Sequence, residues 1–256
     1  MSLTRLALRF AAPAPQVESF ERYLFLGPHP DDIEIGAGAT AAKLAAAGKQ
    51  VCFLICTDGR FGLEHAPQGT ASEELVALRK AEALASARAL GVNDVRFLGF
   101  SDGGFYDFED LVQAAARVVS DFQPQMILAP DPDVQSECHV DHRRVGEAAK
   151  GLAFFAPFAE VMAQYGASAA PVQALAFYMT ARPNRFVSTR GLLKKQRDAI
   201  LCHRTQFPAD SEAYKSVALY LKLRAADFGL RSLRGQAEGF RVLNKTHMHC
   251  LPEAGN

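Results

Sequence analysis

The chain has no CxxC pair, no net charge, no internal repeat and no apolar run long enough to cross a bilayer. Each absence closes a class of function. Its five cysteines, Cys52, Cys56, Cys138, Cys202 and Cys250, are odd in number and scattered. That argues against a disulfide framework and for a reducing, cytoplasmic setting. Lys and Arg number 28, balanced by 28 Asp and Glu, so neither a nucleic-acid partner nor a polybasic membrane patch is expected. No stretch approaches the roughly 18 apolar residues of a membrane span. The opening MSLTRLALRFAAPAP looks only superficially like a signal peptide, because Arg5 and Arg9 interrupt it; it reads as an N-terminal arm.

What is present is a chain of 256 residues, 49% hydrophobic, long enough for one sizeable core. A single domain over 1–256 is expected, with 1–21 an arm and 246–256 a tail. Short apolar runs of strand type occur at Tyr23–Gly27, in QVCFLICTDG (50–59), at Val95–Leu98, at Gln125–Ala129, at Ala174–Thr180 and at Phe240–Leu243. Between them lie helical stretches: Gly36–Gly48, a helix from Ser72 (read as its cap) to Gly91, Leu111–Phe122, one from about Arg143, and Gly191–His203. Buried strands that alternate with helices, without polar alternation, predict an α/β chain: a Rossmann-like, three-layer αβα arrangement around a mostly parallel sheet. In such sheets the site lies beyond the C-terminal ends of the strands. The loops there carry His29, Asp31 and Asp32, then Asp58, then Asp102, then the run PDPDVQSECHVDH.

Two clusters stand out. GPHPDDIEIG (27–36) places two adjacent aspartates beside an imidazole, which repel unless a positive charge sits among them. CHVDH (138–142) supplies His139, Asp141 and His142. Two imidazoles and a carboxylate make a catalytic metal set with a vacant position, where a water's pKa falls to roughly 7. Zinc is the expected ion, although such ligands also accept iron(II), cobalt or manganese. Spacing alone leaves open which aspartate and which histidine ligate and which act on the substrate.

These motifs resemble those of the LmbE/PIG-L family of zinc-dependent N-acetylglucosaminyl deacetylases, usually written [AP]HPDDE and HxDH; here they read PHPDDIE and HVDH. The departure is Ile33, which moves the glutamate to Glu34. Supporting matches are Thr57-Asp58-Gly59, Arg79 and Glu82 as RxxE, Leu98–Gly103, KKQRDAILCHRTQ with His203, Thr205 and Gln206, and AEGF at 237–240. The resemblance implies that His29, Asp32 and His142 are metal ligands and that Asp31 is the general base. It implies His139 as acid and oxyanion stabiliser, its ring held by Asp141. Arg79, Asp102, Glu34 and His203 are the implied substrate contacts. The implied reaction is hydrolysis of the N-acetyl amide of a small N-acetylated amino sugar or glycoconjugate.

Two other readings use the same residues. GAGATA (36–41) with Asp58 imitates a dinucleotide fingerprint, but it begins too far beyond the strand's end. A non-catalytic sugar-binding protein on the same fold would have no use for a base beside a metal. The loop 60–71 and the segment 154–172 are expected to shape the acceptor pocket, the latter being apolar enough for a lipid, an aromatic group or a contact within a homo-oligomer. His247 and His249 are expected to be structural or on the surface.

Overall fold

The computed structural model describes residues 10–249 together with Thr4, Ala7 and Leu251; Arg5, Arg9, Cys250 and residues 252–256 of the expected tail lie outside them. Seven strands are present among the described residues: β1 (Arg22–Gly27), β2 (Gln50–Thr57), β3 (Asp94–Phe100), β4 (Met126–Pro130), β5 (Ala174–Tyr178), β6 (Arg185–Ser188) and β7 (Ala237–Asn244). They form one sheet in the order β3-β2-β1-β4-β5-β7-β6. The first five are parallel, and β7 runs antiparallel to both β5 and β6. The sheet is therefore mostly parallel, as the strand composition predicts.

Both faces of the sheet are covered. Along β1, Tyr23 and Phe25 enter one apolar cluster and Leu24 and Leu26 the other, because successive strand residues point to opposite faces. On the first face lie α1 (Asp32–Ala46), α2 (Ser72–Leu90) and α6 (Leu193–Ile200), packed on one another. On the second lie α3 (Phe108–Phe122) and α4 (Val140–Phe155), followed by the short α5 (Ala159–Gln164). A long helix, α7 (Glu212–Ser232), packs against β7.

The differences from expectation have local causes. α1 starts at Asp32 rather than Gly36, and α4 at Val140 rather than Arg143; in both, the polar motif itself forms the first turn. Ser72 is not a cap. Ala71 holds that position without a side-chain bond, while Gly91 at φ 93° closes the helix as expected. Neither β6 nor α7 stands out in the sequence. β6 has four residues, and α7 exposes Leu219, Leu223 and Leu230 on its outer side, which blurs the one-sided apolar pattern by which a helix is recognised. The GAGATA stretch lies inside α1. A side chain at Gly36 would overlap the Tyr178 ring, and one at Gly38 would meet Gln196; these glycines serve close packing rather than phosphate binding.

Strand order reverses between β1 and β4: the chain proceeds outward from β1 through β2 to β3, then returns to β4 on the other side. Such a switch point opens a crevice at the strands' C-terminal ends, and both polar clusters emerge there. Tyr178, fully buried at the end of β5, donates its hydroxyl to the Leu26 carbonyl at 2.6 Å. This ties β1 down just before GPHPDD. Replacing Tyr178 by Phe removes that donor and is expected to cost about 1–2 kcal/mol, a fall of a few degrees in Tm. A melting curve identical to wild type would deny the bond its anchoring role.

Candidate metal centre

The turn after β1 is under strain. Asp31 has φ 134° and ψ −25°, a region that costs a non-glycine residue about 1–3 kcal/mol. Its carboxylate accepts a hydrogen bond from Arg79 Nη2 at 3.0 Å, and the same guanidinium donates to the carbonyls of Pro30 and Gly59, each at 2.9 Å. Arg79 thus clamps the turn from α2. Asp32 begins α1 with its Oδ2 turned back, accepting from the His29 backbone N–H at 2.8 Å and lying 3.0 Å from His29 Nδ1.

The second cluster arrives from β4 on the first turn of α4. His142 Nε2 lies 3.4 Å from Asp32 Oδ2, and its Nδ1 lies 2.9 Å from Glu137 Oε2. His29, Asp32 and His142 therefore present three ligand atoms within 4.8 Å of one another. A second, overlapping group joins His29 to Asp102, His139 and Asp141 within the same limit. His29 Nε2 faces Asp102 Oδ1 at 3.0 Å and Asp141 Oδ2 at 3.2 Å.

The charges are strongly coupled. Burial would push Asp32 up, but the His142 charge and contacts with both histidines hold it well below the usual carboxylate range. Burial would lower His29, but Asp102, Asp141 and Asp32 together raise it well above its ordinary value. His142 is likewise raised, to about 9, burial being outweighed by Asp32. Asp31 is pushed up to about 6 by burial, against the pull of Arg79. His139 is lowered by burial and by its two neighbouring imidazoles.

A divalent cation fits these residues. Two imidazoles and one carboxylate are a suitable donor set, and here their ligand atoms already lie within 4.8 Å of one another. With Glu137 holding His142 Nδ1, Nε2 is directed at the shared centre, the carboxylate–histidine arrangement that orients metal ligands. Sequence reasoning missed Glu137; its place five residues before His142 in a turn-rich loop was the available signal.

Other expected residues sit differently from their expected roles. Arg79 is buried beneath Asp31 rather than reaching outward to a sugar. Glu34 and His203, expected as substrate contacts, are 1% and 0% exposed and face each other at 3.3 Å. Asp102 is in the cluster, its backbone N–H donating to Asp58 Oδ1 at 3.3 Å. Asp141 stands nearer His29 than His139: His139 Nδ1 accepts the Asp141 backbone N–H at 3.3 Å, and the carboxylate is 3.7 Å from that nitrogen. The loop 60–71 borders the site, but 154–172 starts at the far end of α4, about 24 Å away along a 16-residue helix. There Phe154 stacks on His249 at 5.8 Å. The RxxE and HxTQ matches interlock: Glu82 accepts from Thr205 N and Oγ1, and Gln206 Nε2 donates to the Gly62 carbonyl.

Comparison with known proteins places these residues in context. The profile of the PIG-L family, described as GlcNAc-PI de-N-acetylase, matches residues 24–153. A diacetylchitobiose deacetylase of Thermococcus kodakarensis is 31% identical over 98% of this chain and 93% of its own length. The solved structure of N,N'-diacetylchitobiose deacetylase from Pyrococcus horikoshii, complexed with an inhibitor, superposes with a TM-score of 0.84, at 30% identity, over 98% of this chain and 93% of that one. A second solved structure, the 4-carboxy-2-hydroxymuconate hydratase GalB of Pseudomonas putida, has a TM-score of 0.73 at 18% identity, covering 87% of this chain and 96% of that one. It shares the fold alone.

Two measurements follow from this geometry. A cation that binds only the folded chain adds about 4 kcal/mol at a thousandfold excess over Kd. Zinc added to chelator-treated protein is therefore expected to raise Tm on the order of 10 °C, and H142A to abolish most of that rise; an equal rise in H142A would place the cation elsewhere. The second concerns His203, which burial would lower but the Glu34 charge raises above its ordinary value. A histidine raised on folding stabilises fully below its unfolded pKa of about 6.5 and loses that contribution as pH rises through the folded value. Stability in urea should therefore fall more steeply from pH 6 to pH 9 in wild type than in H203Q, both in chelator. Parallel slopes would refute the Glu34–His203 interaction.

Proposed function

The chain belongs to the PIG-L family, and on that premise we propose that it is a metal-dependent N-deacetylase. Its substrate would be a small molecule or glycoconjugate containing N-acetylglucosamine, and its products acetate and a free amine. The observation that carries this reading is the convergence of His29, Asp32 and His142 within 4.8 Å, with Asp31 turned to stand beside them.

In this assignment His29, Asp32 and His142 hold the ion, with zinc the expected metal and iron(II), cobalt or manganese compatible with the same ligands. A bound divalent cation would polarise the acetamide carbonyl and make an attacking water more acidic. Asp31 is the carboxylate that would accept a proton from the attacking water as the water oxygen adds to the carbonyl carbon. His139 caps α4 and accepts the Asp141 N–H at Nδ1, so its neutral ring carries the proton on Nε2. From there it donates a hydrogen bond to the developing oxyanion and keeps its own proton, while the proton that Asp31 took from the water passes to the amine nitrogen as the C–N bond breaks. His139 suits this task because its side chain is 43% exposed, whereas Asp141 beside it is fully buried. Asp141 and Asp102 orient His29, Glu137 orients His142, and Arg79 orients Asp31.

A binding protein without turnover, or a dinucleotide-binding protein, is not favoured: the first has no need of a strained second carboxylate, and the second lacks a glycine turn at the strand's end. Among the described residues Cys52, Cys56, Cys138 and Cys202 are free thiols, which fits the cytoplasmic location expected from the sequence. No described helix is long and apolar enough to cross a membrane.

The test is an acetate-release screen over N-acetylated amino sugars, with and without chelator, alongside Asp31→Asn. Loss of the base is expected to lower kcat about 10²-fold to 10⁴-fold while elemental analysis finds the metal content unchanged. Turnover insensitive to chelator, or a D31N enzyme as fast as wild type, would defeat the assignment.

A further inference from the structure

The helix that begins with Asp32 is not continuous. Ala37 leaves helical geometry at φ −152° and ψ 17°, which sets the first turn of α1, residues 32–36, apart from the longer piece that runs on to Ala46. A break inside a helix leaves backbone groups in need of partners on both sides: N–H groups where the second piece starts and carbonyls where the first piece ends. Ala37 stands where an N-cap would, and alanine has no side-chain oxygen with which to cap.

Two side chains from remote parts of the chain supply those partners. Glu238, near the start of β7, accepts from the Ala39 N–H at 3.1 Å with Oε1 and from the Thr40 N–H at 2.7 Å with Oε2. Ala39 and Thr40 are the second and third residues after Ala37, whose N–H groups a local cap would otherwise satisfy, and a carboxylate also suits the positive end of the restarted helix. Gln196, on α6, serves the other side. Its Nε2 donates to the Glu34 carbonyl at 2.8 Å and to Glu238 Oε1 at 3.0 Å. Gly38 gives it room, since a Cβ there would lie 3.1 Å from Gln196 Cγ. The two side chains are thus bonded to each other and to opposite sides of one break. The Glu34 carbonyl belongs to the same turn as Asp32, while Asp31 is held on its own side by Arg79. Both residues come from the KKQRDAILCHRTQ and AEGF matches, and the metal centre itself gives neither of them a task.

We propose that Glu238 and Gln196 are positioning residues for Asp32: by bracketing the break in α1 they fix the direction in which its first turn presents that carboxylate to the cation. A single turn closes few hydrogen bonds of its own, so its direction depends on what holds its two ends. Arg79 holds the end at Asp31, and the Glu238–Gln196 pair holds the end at Glu34. The inference rests on the metal-dependent reading, through Asp32 as a ligand, and adds to it two residues outside the ligand set.

The test is zinc affinity, read without substrate by titrating chelator-treated protein against a competing metal indicator. E238A and Q196A are each expected to raise the zinc Kd about tenfold, the lower end of what losing the support of a metal ligand costs. V119A, a truncation of a buried residue of α3 on the other face of the sheet, controls for stability: its Kd should stay within about twofold of wild type whatever its fall in Tm, because it lies far from the break. Since both side chains act on one break, E238A/Q196A should bind zinc no more than about twofold more weakly than the worse single variant. An unchanged Kd in a folded single variant, an equal rise in V119A, or losses that multiply to about a hundredfold in the double variant would overturn the proposal. Should E238A not fold, Q196A and V119A decide it. A wild type that binds zinc but releases acetate from no N-acetylated amine would end the deacetylase reading and leave this inference to stand or fall on the Kd values.

Discussion

Three buried carboxylates, those of Asp32, Asp102 and Asp141, lie against one imidazole, that of His29, and a fourth, Asp31, is the chain neighbour of Asp32. At an effective dielectric near 20, like charges about 4 Å apart repel by roughly 4 kcal/mol. Such a group persists only if positive charge is interleaved with it. The chain supplies Arg79 on one flank and His142 on the other, and it raises the pKa of both His29 and His142. A divalent cation delivers two positive charges at the same centre without requiring either imidazole to hold an extra proton. Residues further out serve the same balance: Glu137 fixes His142, and the Gly103 N–H satisfies Asp141.

The fold makes this crowding attainable because the two polar clusters leave neighbouring strands at a switch point. β1 and β4 are paired directly, so the loops beyond them face each other even though the two motifs are remote in sequence. The supporting motifs then close the crevice from one side. α2 sends Arg79 to Asp31 and Glu82 to Thr205, and Gln206 returns to the loop that follows β2. Within these motifs Arg79 holds the turn that carries Asp31 directly, while Glu82, Thr205 and Gln206 tie together the elements around it.

The central sheet was legible because its strands are continuous apolar runs that only a buried parallel sheet explains. The ligand candidates were legible because histidines and aspartates cluster immediately after two of those strands. Orientation was not legible. Sequence spacing treats Glu34 as a neighbour of Asp32, but two steps along a helix turn it about 200° away, into the interior against His203. Arg79 reads equally as a charge reaching outward or inward, and only the strained Asp31 turn beneath it decides. Glu137 resembles any other polar loop residue until α4 is known to begin at Val140. The segment 154–172 carries an apolar signal that says nothing of distance; the length of α4 takes it away from the site.

Fold alone does not decide the chemistry, since a hydratase shares this architecture at 18% identity. The discriminating feature is the backbone of Asp31. In the proposed assignment His29, Asp32 and His142 hold the cation, and Asp31, which is not among them, has no need of a strained turn for that purpose. The chain instead keeps a non-glycine residue at φ 134° and buries an arginine to hold it there. The strain does not improve the ligand set; its consequence is to place a second carboxylate just outside it, with burial lifting that group's pKa to about 6. A second carboxylate outside the ligand set adds nothing to holding a cation, whereas in the proposed hydrolysis it stands where a proton must be accepted. The cost in backbone energy is therefore better accounted for by turnover than by binding.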